Sequence, residues 1–222
     1  MILWRFLFVA FLLLPPTWSR AAEDLMDQYL SVPGAYLFVR RAPEGARSDR
    51  LVLTVFEDFM CPACYHAATE IFPSLKEKYG NRLELRFLGF PFVHQESRLA
   101  ARAHVVAQEL GFGDEMQKAL FRAHFEQQLD ITSKEGLATV ADSIGLASDL
   151  LLKQLDDNGG AAEVERTIAQ ADAYQIDGTP TVILDGWIKV NDVNQGNLEK
   201  IIDGLLAKKK VSAGHSAPSP RQ

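Results

Sequence analysis

The sequence predicts an α/β fold in which a central mixed β-sheet is flanked by helices and interrupted by an all-helical insert. Three observations predict it. A strand pattern, a helix and a second strand pattern follow one another over residues 51–88, the order of a βαβ unit. Two short strand patterns joined by Asp185-Gly186 and followed by a helix occupy residues 181–207, the order of a ββα unit. Between the halves, residues 97–173 repeat their apolar positions at helical spacing.

Each element has its own signal. Glu23–Leu30 reads as one or two helical turns and Ala35–Arg40 as a short β-segment, followed by a polar loop, Ala42–Arg50. Leu51–Phe56 is a continuous apolar and β-branched run, the pattern of a strand buried on both faces, and is expected to be the central strand. Pro62 opens a helix, where its missing N–H costs little. Ala67, Ile71, Leu75 and Tyr79 stripe that helix, Pro73 is expected to kink it and Gly80 to end it. Leu83–Leu88 alternates apolar and charged residues as a second, parallel strand.

In the insert, Thr132 with Glu135 reads as a capping box ahead of the apolar face of Leu137, Val140, Ala141 and Ile144. Ser148-Asp149 starts another helix that ends near Gly159-Gly160, and Val164, Ile168 and Ala171 stripe a last one. Thr181–Leu184 and Trp187–Val190 form a hairpin around Asp185-Gly186, and a final helix spans about Asn197–Ala207. The expected organisation is a signal peptide (1–21), an N-terminal extension with the first strand (22–50), a sheet-bearing domain (51–96 and 174–207), the helical insert (97–173) and a disordered tail (208–222).

The first residues carry export signals. Arg5, the apolar run Phe6–Leu14, a Pro15-Pro16 break and small residues at Ser19, Ala21 and Ala22 follow signal-peptide order, with cleavage expected after Ala21. An uncleaved membrane anchor is the competing reading, but the apolar run falls short of the ~20 residues a spanning helix needs. Cleavage removes Arg5 and Arg20, leaving 21 basic against 29 acidic residues, so the formal charge moves from -6 to -8. An acidic chain whose one dense basic run is Lys208-Lys209-Lys210 has no electrostatic footprint for nucleic acid or anionic membrane.

The chemistry-bearing motif is Cys61-Pro62-Ala63-Cys64, which holds both cysteines of the chain. Two cysteines placed at random in 222 positions stand three apart in roughly 1% of cases, so chance adjacency explains little. Cys61 falls where a buried strand hands over to a helix N-terminus, whose unpaired N–H groups and dipole favour negative charge and so lower a thiol's pKa. Cys61 is therefore expected to form the mixed disulfide and Cys64, one turn deeper, to resolve it.

Other readings stay open. A static disulfide here would close a four-residue loop and restrict the unfolded chain little. A metal site on Cys61, Cys64, His66 and His94 lacks the second cysteine pair of a structural zinc motif, so no metal and no cofactor is expected. A metal or peptide-binding module using the thiol pair is a reading from a different class. His66, His94, His104 and His124 read as surface or half-buried residues, and His215 lies in the tail.

Phe56-Glu57-Asp58-Phe59-Met60-Cys61-Pro62-Ala63-Cys64, Phe90-Pro91-Phe92-Val93-His94 leading into Ser97–Ala103, and Gly178-Thr179-Pro180-Thr181-Val182 together resemble the DsbA-like branch of the thioredoxin superfamily. The motifs stand in that family's order and the resemblance covers roughly Leu51–Leu206. It implies a thioredoxin fold with a helical insert, activity on the disulfides of exported cysteine-containing proteins, and a membrane redox partner that regenerates the disulfide. It also implies a cis bond before Pro180, and backbone hydrogen bonds from Thr179 to a substrate segment.

The sequence departs from the best-known members at two points. Six residues before the first cysteine, where they carry a buried acid that assists proton transfer, stands Val55; Glu57 and Asp58 are near but not equivalent on the resemblance. The central dipeptide is Pro-Ala where the best-known oxidase has Pro-His. The expectation is a periplasmic or otherwise exported dithiol oxidase, with an isomerase or reductase as the alternative. Only Glu23–Arg50 precedes the first long strand, too little for a separate assembly domain, so a monomer is expected.

Overall fold

The structure, a computed structural model, describes residues 29–40 and 50–214. The expected signal peptide (1–21), most of the first helical turns and the loop Ala42–Asp49 lie outside the described residues; Tyr29 and Leu30 are helical.

Five strands form one mixed sheet in the order β1-β5-β4-β2-β3. Strand β2 (Leu51–Glu57) runs parallel to β3 (Leu83–Gly89), in register from Leu51 opposite Leu83 to Glu57 opposite Gly89. The helical connection between them is the βαβ unit the sequence predicts. On its other edge β2 pairs antiparallel with β4 (Thr181–Leu184), Val55 facing Val182. β4 thus occupies the middle of the sheet, with β2 as its interior neighbour, a correction to the expected place of β2.

β5 (Ile188–Val190) follows a tight turn in which Asp185 and Gly186 have φ of 47° and 79°. Two successive positive φ values make a type I′ hairpin turn, closed by Trp187 N–H donating to the Leu184 carbonyl at 3.1 Å. Trp187 therefore belongs to the turn and not to the strand. β1 (Tyr36–Phe38) pairs antiparallel with β5 at the sheet edge and is shorter than the segment Ala35–Arg40.

The helix after β2 is not one helix with a proline kink. α1 (Pro62–His66) passes into a π-helical turn (Ala67–Ile71) before α2 (Phe72–Tyr79). The wide turn places Pro73 in the first turn of α2, where no i−4 carbonyl is required of it. The insert runs α3 (Arg98–Glu109), α4 (Gly113–Phe125), α5 (Lys134–Ser143), α6 (Ser148–Asp156) and α7 (Ala161–Ala173). The cap of α5 is Ser133, whose Oγ accepts from Gly136 N at 3.1 Å, while Thr132 donates its hydroxyl to Asp130. Asp130 turns the chain one residue later than the capping-box spacing suggests.

The last helix, α8, spans Gln195–Gly214, so residues 208–214 are helical, contrary to the expected disordered tail; His215–Gln222 lie outside the described residues. Lys209 explains the extension. Its ammonium donates to the Arg50 carbonyl at 2.7 Å and pairs with Asp185 at 2.8 Å, both side chains nearly buried. Asp185 also accepts from Val52 N at 2.8 Å, so a basic residue read as part of a solvated tail fastens α8 to the hairpin and β2.

Four apolar clusters divide the core among the described residues, and three of them bear on the site. Leu51, Leu53 and Val55 face the π-helical turn, α2 and α8; Phe56 and Ile183 face Tyr174 and Ala171 on the opposite side of the sheet. A third cluster joins Phe59, Cys61 and Cys64 to the apolar faces of α3–α6. The thiol pair is therefore packed against the insert. Gly89 permits this approach, since a Cβ there would stand 2.9 Å from the Ala101 Cβ and 3.1 Å from the Phe59 ring. Among the described residues, no helix is long and apolar enough to cross a membrane.

Candidate active site

Cys61 is the N-cap of α1, in extended conformation, with Pro62 in the first turn. Its N–H donates to the Asp58 carbonyl at 3.0 Å and its carbonyl accepts from Tyr65 N at 3.1 Å, which fixes the strand-to-helix turn. Cys64, one turn on, has no exposed surface, and Cys61 retains 6%. Both are free thiols here.

The thiols have opposite chemistry. Cys61 is pulled from 9.0 to about 5, chiefly by a hydrogen bond from the Cys64 thiol, with burial opposing and with smaller help from the Thr179 side chain and the N–H groups of Cys64 and Ala63. Burial pushes the Cys64 thiol far up, and the neighbouring Cys61 adds to it. At neutral pH the outer sulfur is a thiolate and the inner one holds its proton.

Thr179 and Pro180 stand beside the pair. The peptide bond between them is cis, and the Cys61 sulfur lies 3.4 Å from the Thr179 carbonyl. The Thr179 hydroxyl oxygen is buried without a hydrogen-bond partner among the described residues, although it lies near enough to the sulfurs to lower both thiol pKa values. A groove beside Cys61 is lined by Ala63, His66, Thr179, Pro180, Lys189 and Val193.

Two acids read as non-equivalent neighbours are both buried. Asp58 is 1% exposed; its Oδ1 accepts from Met60 N at 3.0 Å, and its Oδ2 from Val93 N at 2.8 Å and His94 N at 3.2 Å. Its own N–H donates to the Cys64 sulfur at 3.4 Å. Glu57 is fully buried; Oε2 accepts from Gln117 Nε2 at 3.2 Å, while Oε1 has no partner among the described residues. Burial pushes Glu57 up to about 8 and the Gln117 bond only partly offsets it. Val55 points into the apolar core. An acid ending a largely buried strand was the available signal for Glu57.

The histidines divide. His66 is exposed at the groove, His94 is exposed in the loop held by Asp58, and His124 is half-buried against Phe125. His104 is not a surface residue: it is 1% exposed, packs edge-on to Phe59 and is lowered to about 4 by burial. Among the described residues, no three His, Cys, Asp or Glu side chains are grouped to hold a metal ion.

Residues 52–203 match the model of the DSBA-like thioredoxin domain. The probable disulfide bond formation protein D of Bacillus anthracis is 27% identical over 164 residues, covering 69% of this chain and 72% of that protein. The thiol:disulfide interchange protein DsbA of Pseudomonas aeruginosa is 23% identical over 160 residues, 69% of this chain and 73% of that one. A crystal structure of the Pseudomonas protein covers 82% of this chain and 95% of its own with a TM-score of 0.66 at 17% identity. A structure of Proteus mirabilis DsbA in complex with a non-covalently bound peptide, PWATCDS, covers 82% of this chain and 97% of its own with a TM-score of 0.60 at 20% identity.

Proposed function

Because the chain belongs to the DSBA-like thioredoxin domain family and is a thiol-disulfide oxidoreductase, we propose that it acts as a dithiol oxidase, passing a Cys61–Cys64 disulfide to cysteine-containing exported proteins. The stabilised Cys61 thiolate, capped by a helix N-terminus and flanked by Thr179, carries this reading. A thiolate exists in the reduced form and not in the disulfide, so whatever stabilises it favours the protein's reduction and the substrate's oxidation.

The steps balance without a cofactor. A substrate thiolate attacks the Cys61 sulfur of the disulfide; the new S–S bond forms as the Cys61–Cys64 bond breaks and Cys64 leaves with the electron pair. Cys64, whose affinity for a proton is raised by burial, takes one up. Glu57, protonated at neutral pH and one residue from the amide that meets Cys64, is the acid assigned to that proton. A second substrate thiolate then attacks the substrate sulfur of the mixed disulfide and expels Cys61 as its stable thiolate. The substrate has lost two electrons, and a membrane redox partner that accepts them regenerates the disulfide.

The groove along Thr179 and Pro180 accommodates the substrate segment, as the peptide complex of the Proteus relative supports. Residues 1–21 are assigned as a cleaved signal peptide for a periplasmic or otherwise exported monomer. The proposal is tested by incubating the oxidised protein with a reduced, disulfide-requiring test enzyme. Activity should be recovered with the wild type and lost with Cys61→Ser; equal recovery in both rejects the assignment.

A further inference from the structure

We propose that Asp58 is a positioning residue that ties the Phe90–His94 loop to the thiol turn, so that exposed Phe92 and Val93 stand beside Cys61 as an apolar wall for the substrate chain. The proposal rests on the oxidoreductase reading above but not on the direction of electron flow.

The geometry converges on one residue. The main chain of Asp58 touches both cysteines, accepting from Cys61 N and donating to the Cys64 sulfur. Its carboxylate spends one oxygen on Met60, next to Cys61, and the other on the amides of Val93 and His94, thirty-five and thirty-six residues on. Among the described residues no Lys or Arg pairs with it; three amides bind the buried carboxylate, and His124 lies within electrostatic reach. Burying a carboxylate in this way is a poor route to stability and a good route to a unique geometry.

What the tie presents is apolar. Phe92 and Val93 are 41% and 48% exposed, in a described set with few large exposed apolar side chains, and Phe90 anchors the loop by packing against Phe56. A substrate segment whose cysteine reaches Cys61 meets Thr179 and Pro180 beside the sulfur, and on this proposal Phe92 and Val93 as well. Only a carboxylate suits the position. An Asn would keep one acceptor, and its NH2 would confront amide donors, loosening the tie between turn and loop.

The test uses the full chain and a cysteine-containing peptide, with exchange rates measured in whichever redox direction turns over. Asp58→Asn and Phe92→Ala should each raise KM about five- to tenfold while changing kcat less than about twofold. The double variant should be no worse than Asp58→Asn, because both act through one loop. The Cys61 titration, followed by thiolate absorbance, should stay within about half a unit of wild type in each. An unchanged KM in Phe92→Ala, additive KM effects, or a Cys61 titration that moves with KM would overturn the proposal. Phe92→Ala alters an exposed side chain, so the test stands even where Asp58→Asn fails to fold. Exchange that runs only as reduction would sink the oxidase reading and leave this one intact.

Discussion

The Cys61 sulfur lies 3.4 Å from the carbonyl oxygen of Thr179, a residue 118 positions away in the chain. The contact closes the site, because the βαβ half supplies the sulfurs and the ββα half supplies Thr179 and Pro180 beside them, the wall proposed for a substrate's main chain. It also places the buried Thr179 hydroxyl, without a hydrogen-bond partner among the described residues, near both thiols.

Replacing that hydroxyl should be visible in the Cys61 titration. In Thr179→Ala the midpoint should rise from about 5, by less than one unit, since Cys64 remains the larger influence. Thiolate absorbance against pH measures it, and a midpoint that falls would remove Thr179 from the account.

The same thiolate gives the reduced protein a pH-dependent stability. The folded pKa of Cys61, about 5, lies below its ordinary value of 9.0, so between these values the folded state holds fewer protons than the unfolded. Stability of the reduced form relative to the disulfide form should therefore rise from pH 5 to pH 9 and be lost as pH falls through about 5. Urea unfolding of both redox forms, with Cys61→Ser as control, reads this directly; a flat difference would show that the thiolate is not stabilised.

Glu57 works in the opposite sense. Its folded pKa of about 8 is above its ordinary 4.5, so between these values the folded state binds the extra proton and stability falls as pH rises. Glu57→Gln should match wild type near pH 4.5 and exceed it by about 4 kcal/mol at pH 8, since each unit of pKa shift is about 1.4 kcal/mol. It should also slow the release of Cys64 from its disulfide at neutral pH. Equal pH dependence in variant and wild type would contradict the buried acid.

Lys209→Ala should destabilise by about 1–3 kcal/mol, because it leaves the nearly buried Asp185 without its cation. Truncation after Ala207 should cost at least as much. Thermal unfolding checks both, and a truncated chain as stable as the full one would return residues 208–214 to a solvated tail.

Much of this was legible in the residues. The apolar and β-branched run Leu51–Phe56 marked an interior strand, although Val52 and Thr54 are only half-buried, Asp185-Gly186 marked a hairpin, and the helical stripes marked the insert. Cys61 at a helix N-cap followed from its place between that strand and Pro62. What periodicity could not show was long-range pairing. The order that puts β4 in the middle of the sheet, the Lys209–Asp185 tie and the burial of His104 against Phe59 depend on contacts between distant segments. Glu57 and Asp58 were visible as acids, but their burial depends on Gln117 and on the Phe90–His94 loop, neither of which any local pattern links to the cysteines.

The central claim is that Cys61 is poised to be expelled as a thiolate, so that the protein gives its disulfide away. The reduction potential of the Cys61–Cys64 pair, equilibrated against glutathione, tests it most directly. A potential more oxidising than about -180 mV is the predicted result, and a value near the roughly -270 mV of thioredoxin would contradict it.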